Sequence, residues 1–106
     1  MQRTDPHALS VVVVAGRVSA ADLPRLCTRL AACVAAVDDG VVVCDVRGLV
    51  NTDAVALDAL ARLQLTARRL GGRIRLRGAS RDLRDLLAFT GLSAVLPLEA
   101  AVLVEE

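Results

Sequence analysis

Residues 41–70 read VVVCDVRGLVNTDAVALDALARLQLTARRL, and their changing period decides the fold. VVVCDV, residues 41–46, is a β-branched apolar run, expected as a buried strand. RGLVNT, residues 47–52, is the short polar loop that follows it. From Asp53 to Leu70 the pattern becomes helical, with Leu57, Leu60, Leu63, Ala67 and Leu70 on one inner stripe. Asp58, Arg62 and Arg69 form the outer stripe, with Val55 and Leu65 among them. Asp58 and Arg62 are spaced for an i,i+4 ion pair. Gly71-Gly72 then ends the helix.

The flanks repeat this alternation. Upstream, SVVVVA at 10–15 reads as a second fully apolar, hence central, strand, broken by Gly16. Asp22 is the expected N-cap of the next helix, with Pro24 tolerated in its first turn. Leu23, Leu26, Leu30, Val34 and Val37 share one face of that helix, and Asp38-Asp39-Gly40 stops it. Downstream, RIRLR at 73–77 alternates, sending Ile74 and Leu76 inward and three arginines outward. Ser80 caps a short helix over 81–90 that Gly91 closes. Residues 95–98 are expected as a last short strand, and the tail EAAVLVEE fits helix or strand equally. Strands alternating with helices imply βαβ units within a single α/β domain.

The 106 residues are 55% hydrophobic, almost all Val, Leu and Ala, and Phe89 is the only aromatic, so the core must be aliphatic. No stretch is long and apolar enough to cross a membrane, and MQRTDPHALS lacks the apolar run of a signal peptide, so a cytoplasmic protein is expected. Thirteen arginines against twelve acids give a net charge of +1, which exerts no global pull on nucleic acid. Seven arginines lie between residues 68 and 84, where solvated surface is expected first and an acidic protein partner second. Nucleic acid comes last, because no aromatic lies within that span to stack bases.

Catalytic chemistry has little to stand on. His7 is the only histidine and lies at the chain start, outside the expected fold, so no Ser-His-Asp or Cys-His pair can be built. Cys27, Cys33 and Cys44 lack metal-ligand spacing and are expected as small buried hydrophobes. No carboxylates cluster at ligand spacing. Gly71-Gly72 follows a helix rather than a strand and is not a phosphate-cradling loop. No enzyme, metal or cofactor is expected.

The order of these segments resembles the STAS family, the domain of sulfate transporters and anti-sigma-factor antagonists. Gly16 through Leu26, including Asp22-Leu23-Pro24-Arg25-Leu26, is similar to the family's passage from strand to first helix. Asp45 stands where the family has the Asp of Asp-Leu-Ser. Gly71-Gly72-Arg73-Ile74-Arg75-Leu76 resembles its glycine pair and following strand. Ser80 through Leu92 resembles its third helix, and Val95-Leu96-Pro97 the strand beyond. The likeness covers about residues 10–98. It implies a single STAS-like layer, a mixed sheet of four or five strands with helices mainly on one face. Because the chain starts about nine residues before SVVVVA and stops soon after the last strand, the family's extra first strand is expected to be short or missing and its terminal helix reduced.

The departures bear on function. In many members the central loop ends in Asp-Ser-Ser-Gly, whose first serine accepts phosphate from a partner kinase. Here Asp53 is followed by Ala54, Val55 and Ala56, so the aspartate remains and the hydroxyl is gone. Arg17 and Ser19 replace two acids of the family's Gly-Glu-Leu-Asp. Thr52 is the nearest hydroxyl; its expected role is to cap the helix, and it is the alternative phospho-acceptor. Asp53 is expected to favour the helix dipole rather than act as a catalytic acid.

The resemblance implies a regulatory protein-interaction module, like an anti-sigma-factor antagonist that binds an anti-sigma factor or histidine-kinase-like ATPase, unphosphorylated at the usual site. Asp53, Ala54, Val55, Asp58 and Arg62 are the expected partner-binding residues. A second class is a small STAS accessory subunit of an ABC-type lipid-transport system. Those subunits carry Asp-Thr-Gly-Gly at this point, which Asp53-Ala54-Val55-Ala56 does not match either. A third is a structural or homodimerising module. Neither nucleic-acid binding nor membrane insertion is expected.

Overall fold

A computed structural model describes residues 11–99. Three strands, β1 (Val11–Val13), β2 (Val41–Asp45) and β3 (Arg73–Arg77), form a sheet in the order β1-β2-β3, with both pairings parallel. Helix α1 (Leu23–Ala36) connects the first two strands and α2 (Ala54–Arg69) the second and third, while α3 (Arg81–Thr90) follows β3. The expected α/β alternation is present. The expectations for the residues before Val11 and for the tail from residue 100, His7 included, lie outside the described residues.

The core occupies one face of the sheet. Val12, Val42, Cys44, Ile74 and Leu76 are buried there, and α1 and α2 pack on them and on each other. Leu26, Leu30, Leu57, Leu60, Leu63 and Ala67 supply the helical side of the core, and Leu83 and Leu87 of α3 complete it. Every buried apolar residue is aliphatic or a cysteine, as the composition required. Each Leu withdrawn from water contributes roughly 1.5–3 kcal/mol. Glycine is needed where α2 turns into β3. A Cβ on Gly72 would lie 2.6 Å from the Gly40 carbonyl oxygen, and that carbonyl accepts the Arg73 N–H at 2.8 Å.

Five expectations are corrected. The run SVVVVA was expected as a fully buried central strand; among the described residues β1 pairs with β2 alone, and its burial is incomplete. Val13 is 54% exposed, because its side chain lies on the face opposite the core. Asp22 does not cap α1 with its side chain. Ser19 instead caps a 3-10 turn (Ala20–Asp22), and Asp22 returns a bond to the Ser19 N–H at 2.9 Å, a reciprocal capping box. Leu70, expected on the inner stripe, is the exposed C-cap of α2. Thr52 does not cap α2; Asp53 does, accepting the Ala56 N–H at 3.0 Å.

The fifth correction concerns the sheet edge. The strand expected at residues 95–98 reduces to one parallel bridge, Leu76 to Leu98, while the mixed sheet expected with four or five strands has three among the described residues, all parallel. Two causes are visible. Val95 and Leu96 donate their N–H groups back to the Leu92 carbonyl in a turn, and Pro97 has no N–H to give. The Gln64 side chain also takes the place of a strand beside Ile74. Its Oε1 accepts the Ile74 N–H at 2.8 Å, and its Nε2 donates to the Ile74 carbonyl at 3.2 Å and the Val95 carbonyl at 2.7 Å. Gln64 is 2% exposed, so these bonds satisfy it fully in the interior.

Candidate docking surface at the start of α2

The loop between β2 and α2 lies at the carboxyl end of the central strand, where open α/β sheets present their sites. It is held from inside by Asn51, which is only 5% exposed. Asn51 Oδ1 accepts the Val18 N–H at 3.0 Å, and Nδ2 donates to the Val18 carbonyl and to Asp53 Oδ1, each at 3.1 Å. The Gly16 and Val50 backbones add a bond of 2.9 Å. The loop therefore reaches α2 as a fixed structure. Held this way, Asp53 caps the helix while staying exposed. The Ala56 N–H, with help from Asn51 and Arg17, holds its carboxyl below the usual carboxylate range.

A second charged arrangement braces the other side of the loop. Asp45, at the end of β2, accepts Arg47 Nε at 3.1 Å and Arg47 NH2 at 2.8 Å, and also the Arg47 backbone N–H at 3.0 Å. These bonds hold Asp45 below its ordinary range. Beside it in register, Arg77 pairs with Glu99 at 2.8 Å, which lowers Glu99 in the same way. The Arg47 stem lies over Gly78, where a Cβ would fall 1.9 Å from Arg47 Cγ. A side chain at 78 would displace Arg47 and open the Asp45 bridge.

The residues expected to bind a partner are brought together at this helix start. Asp53, Ala54, Val55, Asp58 and Arg62 are all exposed. Val55, Asp58, Arg62 and Leu65 run along one outer stripe, and Arg62 Nε meets Asp58 Oδ2 at 2.8 Å, the expected pair. Val50, at the loop tip, is 66% exposed and adds an apolar side chain. Thr52 is half-buried and lines an open groove of about 430 Å³ with Asp82, Asp85, Leu86 and Phe89 of α3.

Sequence reading missed Asn51, Val50 and Phe89. Phe89 is 88% exposed, which forgoes the roughly 1.5–3 kcal/mol that burying a phenyl ring brings. Its place as the only aromatic residue in an otherwise aliphatic chain was the available signal. Asn51 gave none, since its main partner lies 33 residues away.

The cysteines lie elsewhere. Cys33 and Cys44 are buried; burial pushes the Cys44 thiol up to about 12, which keeps it protonated and inert. Cys27 is partly buried and donates to Thr66 Oγ1 at 3.6 Å. Among the described residues no group of His, Cys, Asp and Glu could hold a metal ion, and no helix is long and apolar enough to cross a membrane.

A family model described as "Mlab, STAS domain" matches residues 1–103. The chain belongs to the STAS family. No curated protein matches it. STAS domains are in general binding modules rather than enzymes, which suits a surface built from a capped helix start, an ion pair and exposed aliphatic groups. The resemblance in the central loop and the order of the flanking segments thus lead to the same family as the match over nearly the whole chain.

Proposed function

We propose that this STAS domain is a non-enzymatic regulatory module of the anti-sigma-factor-antagonist type. It docks an anti-sigma factor or a histidine-kinase-like ATPase over residues 47–52 and the start of α2. The observation carrying this reading is the outer stripe of Val55, Asp58 and Arg62, exposed although the loop before it is fixed by buried bonds. None of these side chains is used by the core, and a rigid surface loses little entropy on binding. Ala54 at the first helical position offers no hydroxyl, so docking here is independent of phosphate at that residue. Thr52 is the remaining hydroxyl beside it.

The description of the matching family favours a second reading, a small STAS accessory subunit that stabilises the ATPase of an ABC-type lipid-transport system. Both readings use the same surface and differ in the partner. Calorimetric titration of the wild type against each partner type separates them. Asp58→Arg is expected to weaken binding to the true partner at least tenfold, in keeping with the loss of an interface hot spot. Its melting temperature should stay nearly unchanged, because the exposed Asp58–Arg62 pair contributes roughly 0.3–0.5 kcal/mol. Equal affinities with equal melts would place the interface elsewhere, most directly on the arginines between 68 and 84.

A further inference from the structure

Helix α3 is capped at both ends and anchored by Leu83 and Leu87, yet its outer side carries an ordered stripe. Asp82, Asp85, Leu86 and Phe89 follow i, i+3, i+4, i+7 spacing, and all four line the groove that Thr52 closes from the loop side. The acids stand at the N-terminal end of the stripe and the apolar groups at its C-terminal end. Among the described residues neither Asp82 nor Asp85 forms an ion pair, while Asp22, Asp45, Asp58 and Glu99 all do. Arg81 and Arg84 are exposed on the neighbouring stripe and do not line the groove.

We infer that this groove takes a basic, apolar-anchored segment of the partner protein. Arginine or lysine side chains of the partner would meet Asp82 and Asp85, and an aliphatic side chain would cover Leu86 and Phe89. The charge commits the occupant, since two unpaired carboxylates repel phosphate and acidic chains and attract cations. The apolar half supplies what surface ion pairs alone lack, because a phenyl ring brought out of water is the kind of group that dominates an interface. The inference rests on the docking reading given above, and extends its footprint from α2 across Thr52 to α3.

The test uses the full chain, isotopically labelled for NMR, and two designed peptides. One is an amphipathic helix of Leu and Arg; the other has the same pattern in Leu and Glu. The Leu/Arg peptide should move the signals of Thr52, Asp82, Asp85, Leu86 and Phe89, more weakly as salt is added, and the Leu/Glu peptide should not. Phe89→Ser should bind the Leu/Arg peptide about tenfold more weakly. Its melt should match the wild type, because Phe89 is 88% exposed. Equal binding of both peptides, shifts confined to other surfaces, or undiminished binding by Phe89→Ser would each overturn the inference. Partner calorimetry keeps the two ideas apart. A partner weakened by Asp58→Arg but not by Phe89→Ser removes the groove and leaves the docking reading standing. Groove binding of the peptide with a partner indifferent to Asp58→Arg does the reverse.

Discussion

Asn51 and Gln64 perform the same act in two regions with opposite destinies. Each is a buried primary amide, and each grips both backbone groups of one distant residue, Val18 or Ile74, as a neighbouring strand would. Each has one N–H left over. Gln64 spends it on the Val95 carbonyl and closes the edge of the sheet. Asn51 gives it to the Asp53 carboxylate and so orients an exposed helix cap. The difference teaches that one device, a side-chain amide standing in for a strand, serves enclosure in one place and presentation in the other. The consequences of removing it should differ accordingly.

The largest effect is expected at Gln64. Gln64→Leu keeps the volume but leaves the Ile74 N–H, the Ile74 carbonyl and the Val95 carbonyl without their partner. An unsatisfied buried group costs about 1–3 kcal/mol. Urea melts should therefore show a loss of about 3 kcal/mol or more, at the severe end for single substitutions. Partner affinity measured well below the midpoint should be unchanged, because α2 still presents the same outer stripe. A loss under about 1 kcal/mol would mean that water replaces the amide, and the enclosing role of Gln64 would fall.

This contrast also marks what the sequence could reveal. Periodicity exposed β2, the inner stripe of α2 and the in–out pattern of Arg73–Arg77, because each is a local pattern read against one buried face. The caps of α3 were legible for the same reason, since Ser80 reaches only three residues, to the Leu83 N–H. The Asp58–Arg62 pair followed from helical spacing alone. Gln64 looked like an ordinary polar position in a helix, and its acceptor at Val95 is 31 residues away. The shortened strand at residues 95–98 was misjudged through the same blind spot, because the residue that displaces it sits on another element. The expected site residues proved to share one surface, but the amide that holds them in place and the α3 stripe beside them depend on tertiary contacts.

Asn51→Ala should cost less than Gln64→Leu, about 1–2 kcal/mol, because it leaves two backbone groups, both of Val18, without a partner rather than three. It should also act where Gln64→Leu does not, on the acid limb of stability. Asp45, Asp53 and Glu99 all have folded pKa values below their unfolded ones, which lie at about 3.9 for Asp and 4.3 for Glu. The stability they lend is complete above those unfolded values and is lost as pH falls through the lower, folded ones. Melting temperatures of the wild type should therefore decline below about pH 4. Without the Asn51 amide, Asp53 loses one of its donors, so its folded value rises and its share of the acid dependence shrinks. A parallel acid limb in wild type and Asn51→Ala would break the claim that Asn51 acts through Asp53. Partner binding should weaken in this variant and not in Gln64→Leu.

The smallest structural effect, and the sharpest test of presentation, is expected for Ala54→Ser. Position 54 is the first residue of α2, exposed and held just after the Asp53 cap. A serine there adds one oxygen atom at a solvated site, and the stability change should stay within about 0.5 kcal/mol. Its chemical effect is larger. The wild type incubated with ATP and an anti-sigma-type kinase should carry no phosphate at residue 54, whereas Ala54→Ser supplies an acceptor at the place the family uses. Phosphate would bring a charge of about −1.5 to −2 to the N-terminus of α2. The helix dipole favours that charge, but the Asp53 carboxylate beside it opposes it, and the docked partner would meet both. Mass spectrometry and calorimetry on the same samples read the outcome. Phosphoserine at 54 together with weakened partner binding supports a surface presented ready-made by the Asn51–Asp53 bond. Phosphate on Thr52 in the wild type would move the regulatory hydroxyl into the groove shared with Phe89, and docking would then be phosphate-controlled after all.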